Sequence, residues 1–361
     1  MKVLFVMERR VDAGSIHAVA NHIRAGDEAG HTMALYGRPD SRFSGVRFAV
    51  DATAFDHVVF VVESSLSWMS ALRIPVILQS VPRSRRAVLD VDGMYNPLIC
   101  VDGYDRNHAA EEERATWVAH YAMLADRVFQ PTLGSHQPGV LPVLFYGYDP
   151  ASTLAPEASP PKRFDVMHVG HNWWRGRELS RLLPALERIR AELDGVCFLG
   201  SWWDSPPAGA SELGLEAAFA TDGDWFSRLR IEMRPPVPFT DVIREMSVGR
   251  VNLMTQRPLF RQLRILTSKY FEIFCADTIP LVLLDPDHAE AVYGDAGREL
   301  SLDYGAEEKL LDALASRGKY REIVEEVRRH LIEHHSYRRR VEELVSALAS
   351  SPEVTRSAPC G

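Results

Sequence analysis

Apolar residues in this chain fall into short, separated blocks, and two kinds of block alternate. Lys2–Met7 is apolar and rich in Val and Phe, and it ends at Glu8-Arg9-Arg10. Ile16, Val19, Ala20 and Ile23 then recur at helical spacing, closing near Gly30. His31–Tyr36 is apolar again and stops at Gly37. Strand, helix and strand in about forty residues predict a right-handed βαβ unit. The continuous run His57–Val62 predicts a strand buried on both faces. Ile74–Leu78 predicts another strand, Glu111–Leu124 a helix, Arg127–Phe129 a strand and Val140–Phe145 one more short strand. The first half is thus expected to be a parallel α/β domain, residues 1–150.

Between Tyr146 and Arg163 the periodicity stops, and Gly147-Tyr148-Asp149-Pro150 and Ala158-Ser159-Pro160-Pro161 read as a linker. A second series follows. Asp165–Val169, Val196–Leu199, Val251–Met254 and Ile279–Leu284 are strand-like, whereas Arg177–Leu193, Asp241–Ser247 and Ser268–Cys275 are helix-like. This predicts a second α/β domain over residues 161–330. Tyr320–Ala349 is strongly helical, with a break expected at His334-His335-Ser336. The last residues, 350–361, are small and polar and read as a disordered tail. The fold class is α/β, two Rossmann-like domains facing a cleft.

A length of 361 residues agrees with about two domains. With 46% hydrophobic and 25% charged residues, wholly disordered and fibrous readings are out. Lys and Arg number 41 against 49 Asp and Glu, a net charge of −8, which argues against a nucleic-acid partner. The 4 Cys show no metal-ligand spacing, so structural zinc is not expected, and the first apolar block is too short for a signal peptide. A cytoplasmic location follows as the default. Walker A, G-x-S-x-G, H-E-x-x-H and G-x-G-x-x-G patterns are absent.

In sheets of this kind ligands bind beyond the carboxyl ends of the strands, so the residues just after each strand carry the chemistry. Gly170-His171-Asn172, with Arg175 and Arg177, forms a strand–Gly–helix turn that would suit an anion, though such turns are also common structural connections. Arg257, Arg261, Arg264 and Lys269 gather four cations in a short stretch. Thr267 and Ser268 read as helix caps before Lys269, and Glu272 follows one turn on. Together they would hold a diphosphate and a ribose diol; the alternative is a solvated cationic face on which Glu272 makes an ion pair. Asp12, Gly14, Ser15 and His17 follow the first strand, with Gly14 allowing close approach and His17 able to act as a base. Asp90-Val91-Asp92-Gly93 reads as a turn, and His334 and His335 as solvated. Trp173-Trp174 and Trp202-Trp203 would either stack on a ring of the ligand or pack internally.

Several pieces in order resemble one family. Leu141-Pro142 to Gly147-Tyr148-Asp149-Pro150, Phe164–Gly170, Thr267–Glu272, Ala276–Leu281 and His335–Arg340 resemble the spore-maturation-protein-like branch of the group 1 glycosyltransferases, of GT-B fold. The likeness covers about residues 140–348. It implies a metal-independent transfer of a sugar from a nucleoside-diphosphate sugar to an unidentified acceptor, a small molecule or glycan. The nucleotide sugar is a substrate, and no further cofactor and at most peripheral membrane contact are expected. By the same resemblance Lys269, with Thr267 and Ser268, would hold the diphosphate, and Glu272 the ribose hydroxyls. Pro238 would lie near the base, and the last helix, 331–349, would cross back to the first domain. Three positions depart from the family pattern: Lys269 replaces an Arg, Asp277 a Gly, and Arg264 an earlier Glu. An epimerase or phosphorylase of the same fold, or a silent nucleotide-binding protein, are the rival readings.

Overall fold

The computed structural model describes residues 1–9, 13–63, 74–96, 108–135, 137–212, 215–221, 223–302 and 305–350, with the backbone alone at 108–114. Asp12 and the tail lie outside the described residues. The strands are β1 Lys2–Val6, β2 Thr32–Tyr36, β3 Phe48–Ala49, β4 His57–Val62, β5 Arg86–Asp90, β6 Arg127–Gln130 and β7 Val140–Pro142. They form one parallel sheet in the order β3-β2-β1-β4-β5-β6-β7. A second parallel sheet, β10-β9-β8-β11-β12, is built from β8 Phe164–Val169, β9 Val196–Leu199, β10 Ile231–Arg234, β11 Gly249–Met254 and β12 Ile279–Val282. The fold is therefore the expected α/β pair of parallel sheets.

Each sheet starts in its middle and winds outward in both directions. The order reverses between β1 and β4 in the first sheet and between β8 and β11 in the second. Such a switch point leaves a crevice at the carboxyl ends of the two neighbouring strands. Every residue of β5, β6, β8 and β9 is buried, because helices cover both faces.

Ile74–Leu78 is not a strand; Ile74–Ser80 is a helix that buries Ile74 and Ile77 and leaves Val76 54% exposed. A short apolar run cannot be told from a helix turn by periodicity alone, and Pro75 is tolerated in a first turn, where its missing N–H has no partner to lose. Arg177–Leu193 is not one helix. It divides into Arg175–Leu179, Leu183–Arg188 and a 3₁₀ turn Arg190–Glu192, with Pro184 in the first turn of the second piece. β7 stops at Pro142, short of Phe145.

The chain returns to the first sheet at its end. Helix Arg317–His335 stops at Ser336, and helix Tyr337–Ala349 packs along helix Gly14–Glu28. The ring of buried His22 meets Tyr337 edge-on at 5.5 Å and stacks on Phe145 at 5.0 Å. From β6, the Arg127 guanidinium donates to the carbonyls of Ala347 (3.3 Å) and Leu348 (2.8 Å), which lie at the end of the last helix. His335 is buried, not solvated, whereas His334 is exposed. Arg340, fully buried, fixes the bend by donating to the His334 carbonyl (2.7 Å) and to Glu343 (2.9 Å).

Other contacts close the seam between the two halves. Buried Arg257 pairs with Asp92, Nη2 to Oδ1 3.2 Å, and lies over the Phe260 ring. The Leu266 N–H donates to the Pro131 carbonyl at 2.8 Å. Lys162 pairs with Asp277 at 3.0 Å, a departure from the family pattern that serves to tether the connecting segment.

Three buried histidines make the fold sensitive to acid. Burial is the leading cause in each, pulling His22 down to about 4 and His168 and His335 to about 3. The Arg340 charge adds to the effect at His22 and His335, and Arg175 and Lys269 do so at His168. All three are neutral in the folded state. As pH falls below about 6.5 the unfolded chain takes up protons that the folded chain refuses, at about 1.4 kcal/mol per pH unit per histidine. Stability is complete above that pH and is lost toward the folded values. In denaturant titrations between about pH 4.5 and 5.5, His168→Phe is expected to reduce the slope of unfolding free energy by about one proton equivalent. An unchanged slope would contradict this assignment.

Candidate functional site

The carboxyl ends of the two sheets meet across a cleft, and the first turn of helix Gly14–Glu28 is the first-domain side of that meeting. A side chain at Gly14 would place its Cβ 2.5 Å from Ser268 Oγ and 3.7 Å from Glu272 Oε1, so only hydrogen fits. No side chain caps this helix at Ala13, which leaves its first N–H groups to other acceptors. The neighbouring Ser15 hydroxyl donates to Glu63 Oε1 at 2.5 Å.

Across the cleft stands helix Lys269–Cys275. Ser268 occupies the position before it, but neither its hydroxyl nor that of Thr267 caps the helix; Ser268 is itself helical, at φ −53° and ψ −34°. Thr267 accepts the Tyr270 N–H on its main-chain carbonyl, 3.2 Å. Lys269 Nζ lies 3.1 Å from Glu272 Oε2, with about a quarter or less of either side chain exposed. The ion pair exists, as the bland alternative had it, yet it faces Gly14 rather than open solvent. Gly14, Ser268, Lys269 and Glu272, drawn from both halves, are thus brought together.

His17 points along the same cleft. Its ring stacks on Phe239, centroids 3.9 Å apart and planes 10° from parallel. The two rings wall a cavity of about 310 Å³ with Ile16, Phe43, Val46 and Pro238. An apolar slot of this size with flat walls accepts a planar ring.

The turn after β8 supplies a different kind of residue. Asn172 is fully buried and spends its polar atoms inside the protein: Nδ2 donates to the Trp202 and Phe219 carbonyls (each 3.0 Å), and Oδ1 accepts the Gly176 N–H (2.8 Å). It organises the loop and is corrected from a ligand-holding residue to a structural one. Gly170 accepts the Trp203 indole N–H on its carbonyl, 2.8 Å. His171 is exposed and accepts the Ser201 N–H on Nδ1, 3.0 Å. Arg175 donates to the His171 carbonyl at 2.9 Å and, with Lys269, lies close enough to His168 to lower its affinity for a proton. Trp174 and Trp203 are buried among Trp173, Phe198, Phe219 and Phe226, so both tryptophan pairs serve chiefly in packing.

The cationic stretch does not act as a unit. Arg257 belongs to the seam. Arg261 pairs with Glu178 at 3.2 Å, and exposed Arg264 ends helix Pro258–Leu263 at φ 51°. Of the four, Lys269 is the one that pairs with Glu272, the carboxylate near Gly14. Among the described residues no group of three or more His, Cys, Asp or Glu is placed to hold a metal ion. No helix among them is long and apolar enough to cross a membrane.

Comparison with known proteins agrees with this architecture. Residues 177–346 match the family model described as glycosyl transferase-like. No curated protein matches the chain in sequence. Among solved structures, an alpha-glucosyltransferase in complex with UDP-glucose and DNA containing an abasic site superposes with a TM-score of 0.58 at 12% identity, over 97% of this chain and 100% of that one. The T4 phage beta-glucosyltransferase matches with a TM-score of 0.54 at 11% identity, over 97% and 100% of the two chains. A T4 phage BGT in complex with UDP and Mn2+ gives 0.55 at 11% identity, over the same shares.

The first of these corrects the exclusion of nucleic acid, because a protein of this fold is in complex with DNA. Net charge sums over a whole surface, whereas a polyanion responds to the local field, so a total of −8 excludes nothing of the kind. The chain has the two-sheet GT-B fold of these glucosyltransferases, and residues 177–346 of its second half are similar to the glycosyl transferase-like family model.

Proposed function

We propose that this protein is a glycosyltransferase that takes a uridine-diphosphate sugar as donor and passes the sugar to a hydroxyl-bearing acceptor. The observation that carries the reading is the meeting of Gly14, Ser268, Lys269 and Glu272 at the facing ends of the two sheets. Lys269 would meet the diphosphate, Glu272 would accept from the ribose diol, and the cavity lined by His17, Pro238 and Phe239 would take the base. The uncapped N–H groups at the start of helix Gly14–Glu28 add partial positive charge on the opposite wall. Uridine is chosen over other bases because the solved structures of this fold are in complex with UDP or UDP-glucose.

The chemical demand is charge stabilisation as the diphosphate leaves and the sugar becomes oxocarbenium-like. Lys269 and Glu272 neutralise each other. Donor binding would exchange that pair for an ammonium–phosphate contact and a carboxylate–diol contact, so neither charge is left buried alone. We read Lys269 and the helix N–H groups as sufficient, and turnover is expected to persist in a chelator. The order of the motifs supports, as the finer reading, the spore-maturation-protein-like branch. The acceptor class is open to screening, with DNA among the candidates because the alpha-glucosyltransferase of this fold is in complex with it.

Lys269→Ala is expected to lower kcat/KM for UDP-glucose by tenfold or more, since charge-assisted hydrogen bonds contribute about 1.5–3 kcal/mol. Glu272→Gln is expected to weaken UDP binding while changing kcat little. Release of UDP from UDP-glucose gives the first quantity, and calorimetric titration with UDP the second. Wild-type values in both variants would refute the assignment.

A further inference from the structure

The donor machinery described above uses neither Arg177 nor a second cavity, of about 380 Å³, that lies within the second domain. We propose that this cavity is a separate binding site for a small aromatic anion, a flat ring system carrying one carboxylate or sulfonate group, with Arg177 as its counter-charge.

The walls come from the segments that follow β8 and β9. Trp174 stands before helix Arg175–Leu179 in the left-handed region, at φ 61°, and its main-chain N–H donates to the Ala218 carbonyl at 2.7 Å. A bulky residue rarely adopts that backbone, and here it accompanies a buried indole. The helix meets the 3₁₀ turn Glu216–Phe219 at Gly176, where a Cβ would collide with the Ala220 carbonyl oxygen, so main chain touches main chain. Beside that contact the two segments part. Trp174, Trp203 and Phe226 wall the opening, Leu179 and Leu183 extend it, and Ala217 is too small to fill it. No lining residue is shared with the cleft cavity walled by His17 and Phe239.

Such walls suit an apolar ring, which meets aromatic faces and edges there. Polar capacity is scarce. The Ser180 hydroxyl donates to the Arg177 carbonyl at 2.6 Å, and the Thr221 hydroxyl donates to the Trp203 carbonyl at 3.2 Å. A sugar would therefore bury its hydroxyls against carbon. Arg177 is the charged residue of the lining, and it is exposed, which puts it at the mouth. Its guanidinium makes no hydrogen bond or ion pair among the described residues. The neighbouring arginines differ: Arg181 pairs with Glu178 and Arg228 with Glu187, each at 3.2 Å. An unpaired guanidinium at the mouth of an apolar cavity is complementary to one anionic group on a ring held inside.

The full chain is titrated with anilinonaphthalene sulfonate, followed by emission excited through the tryptophans. N-phenylnaphthylamine, the same ring system without the sulfonate, is titrated in parallel. Wild type is expected to bind one sulfonate dye per chain and to release it to naphthoate. Arg177→Gln is expected to bind the sulfonate dye at least about tenfold more weakly, and Arg177→Lys to keep most of the affinity. Both are expected to bind the neutral dye within about twofold of wild type. Ala217→Trp fills the cavity and is expected to bind neither dye, while His17→Ala, in the cleft, binds both as wild type does. Circular dichroism identical to wild type establishes that each variant is folded. No dye bound by wild type, equal sulfonate affinity in Arg177→Gln, or full binding by folded Ala217→Trp overturns the inference. The UDP titrations of the donor site are unaffected by any of these results, so the two readings fail separately.

Discussion

The architecture depends on how closely two sheets can bring their carboxyl ends together. At the point of closest approach a missing side chain decides the matter: Gly14 leaves room for Ser268 and Glu272 where a Cβ would collide with the serine. A second glycine does the same at the crossover. A side chain at Gly147 would press on the His335 carbonyl at 3.0 Å and on Arg340 and Tyr337, the residues that bend the last helix onto the first domain. Bonded contacts then lock what the glycines permit. Arg257 reaches Asp92, Leu266 reaches the Pro131 carbonyl, and Arg127 reaches the end of the final helix. The cleft is thus a consequence of packing, and these contacts bring residues from sequence-distant elements to face one another.

Within the cleft, charge is arranged economically. Lys269 and Glu272 sit one helical turn apart and satisfy each other. Their separation along the helix lets each turn to a different part of an elongated anionic ligand. On the first-domain side Glu63, directly after β4, accepts the Ser15 hydroxyl. Beneath the Gly170 turn His168 stays neutral, donating Nδ1–H to the Leu253 carbonyl at 2.9 Å, so it adds no charge to a region that already holds Lys269 and Arg175.

The parallel α/β character was legible because buried strands such as His57–Val62 are continuous apolar runs and helix Gly14–Glu28 keeps its spacing. The misread elements were short. Ile74–Ser80 has only two buried apolar positions, and the piece after Arg175 is interrupted by Pro184, so neither carries enough turns for a period to show. β5, Arg86–Asp90, was missed because its charged ends mask its three-residue apolar centre. At the site, Lys269 and Glu272 were found through their spacing, since both lie on one helix. Gly14 meets Ser268 and Glu272 only through the packing of the two sheets, and nothing local announces that. The residue types of Asn172 and Arg257 suit ligand binding, but burial turns both to structural work. Net charge misled for a related reason: a sum over the chain says nothing of where the charges stand.

The most direct measurement is a calorimetric titration of UDP into wild-type protein and Gly14→Val. The central claim is that the first turn of helix Gly14–Glu28 and the Lys269–Glu272 pair form one ligand site, closed only because Gly14 has no side chain. On that account wild type binds UDP, and Gly14→Val, with an unchanged circular dichroism spectrum, binds at least about tenfold more weakly, a difference of about 1.4 kcal/mol. Equal affinities in the two proteins, or no binding to wild type, would contradict it.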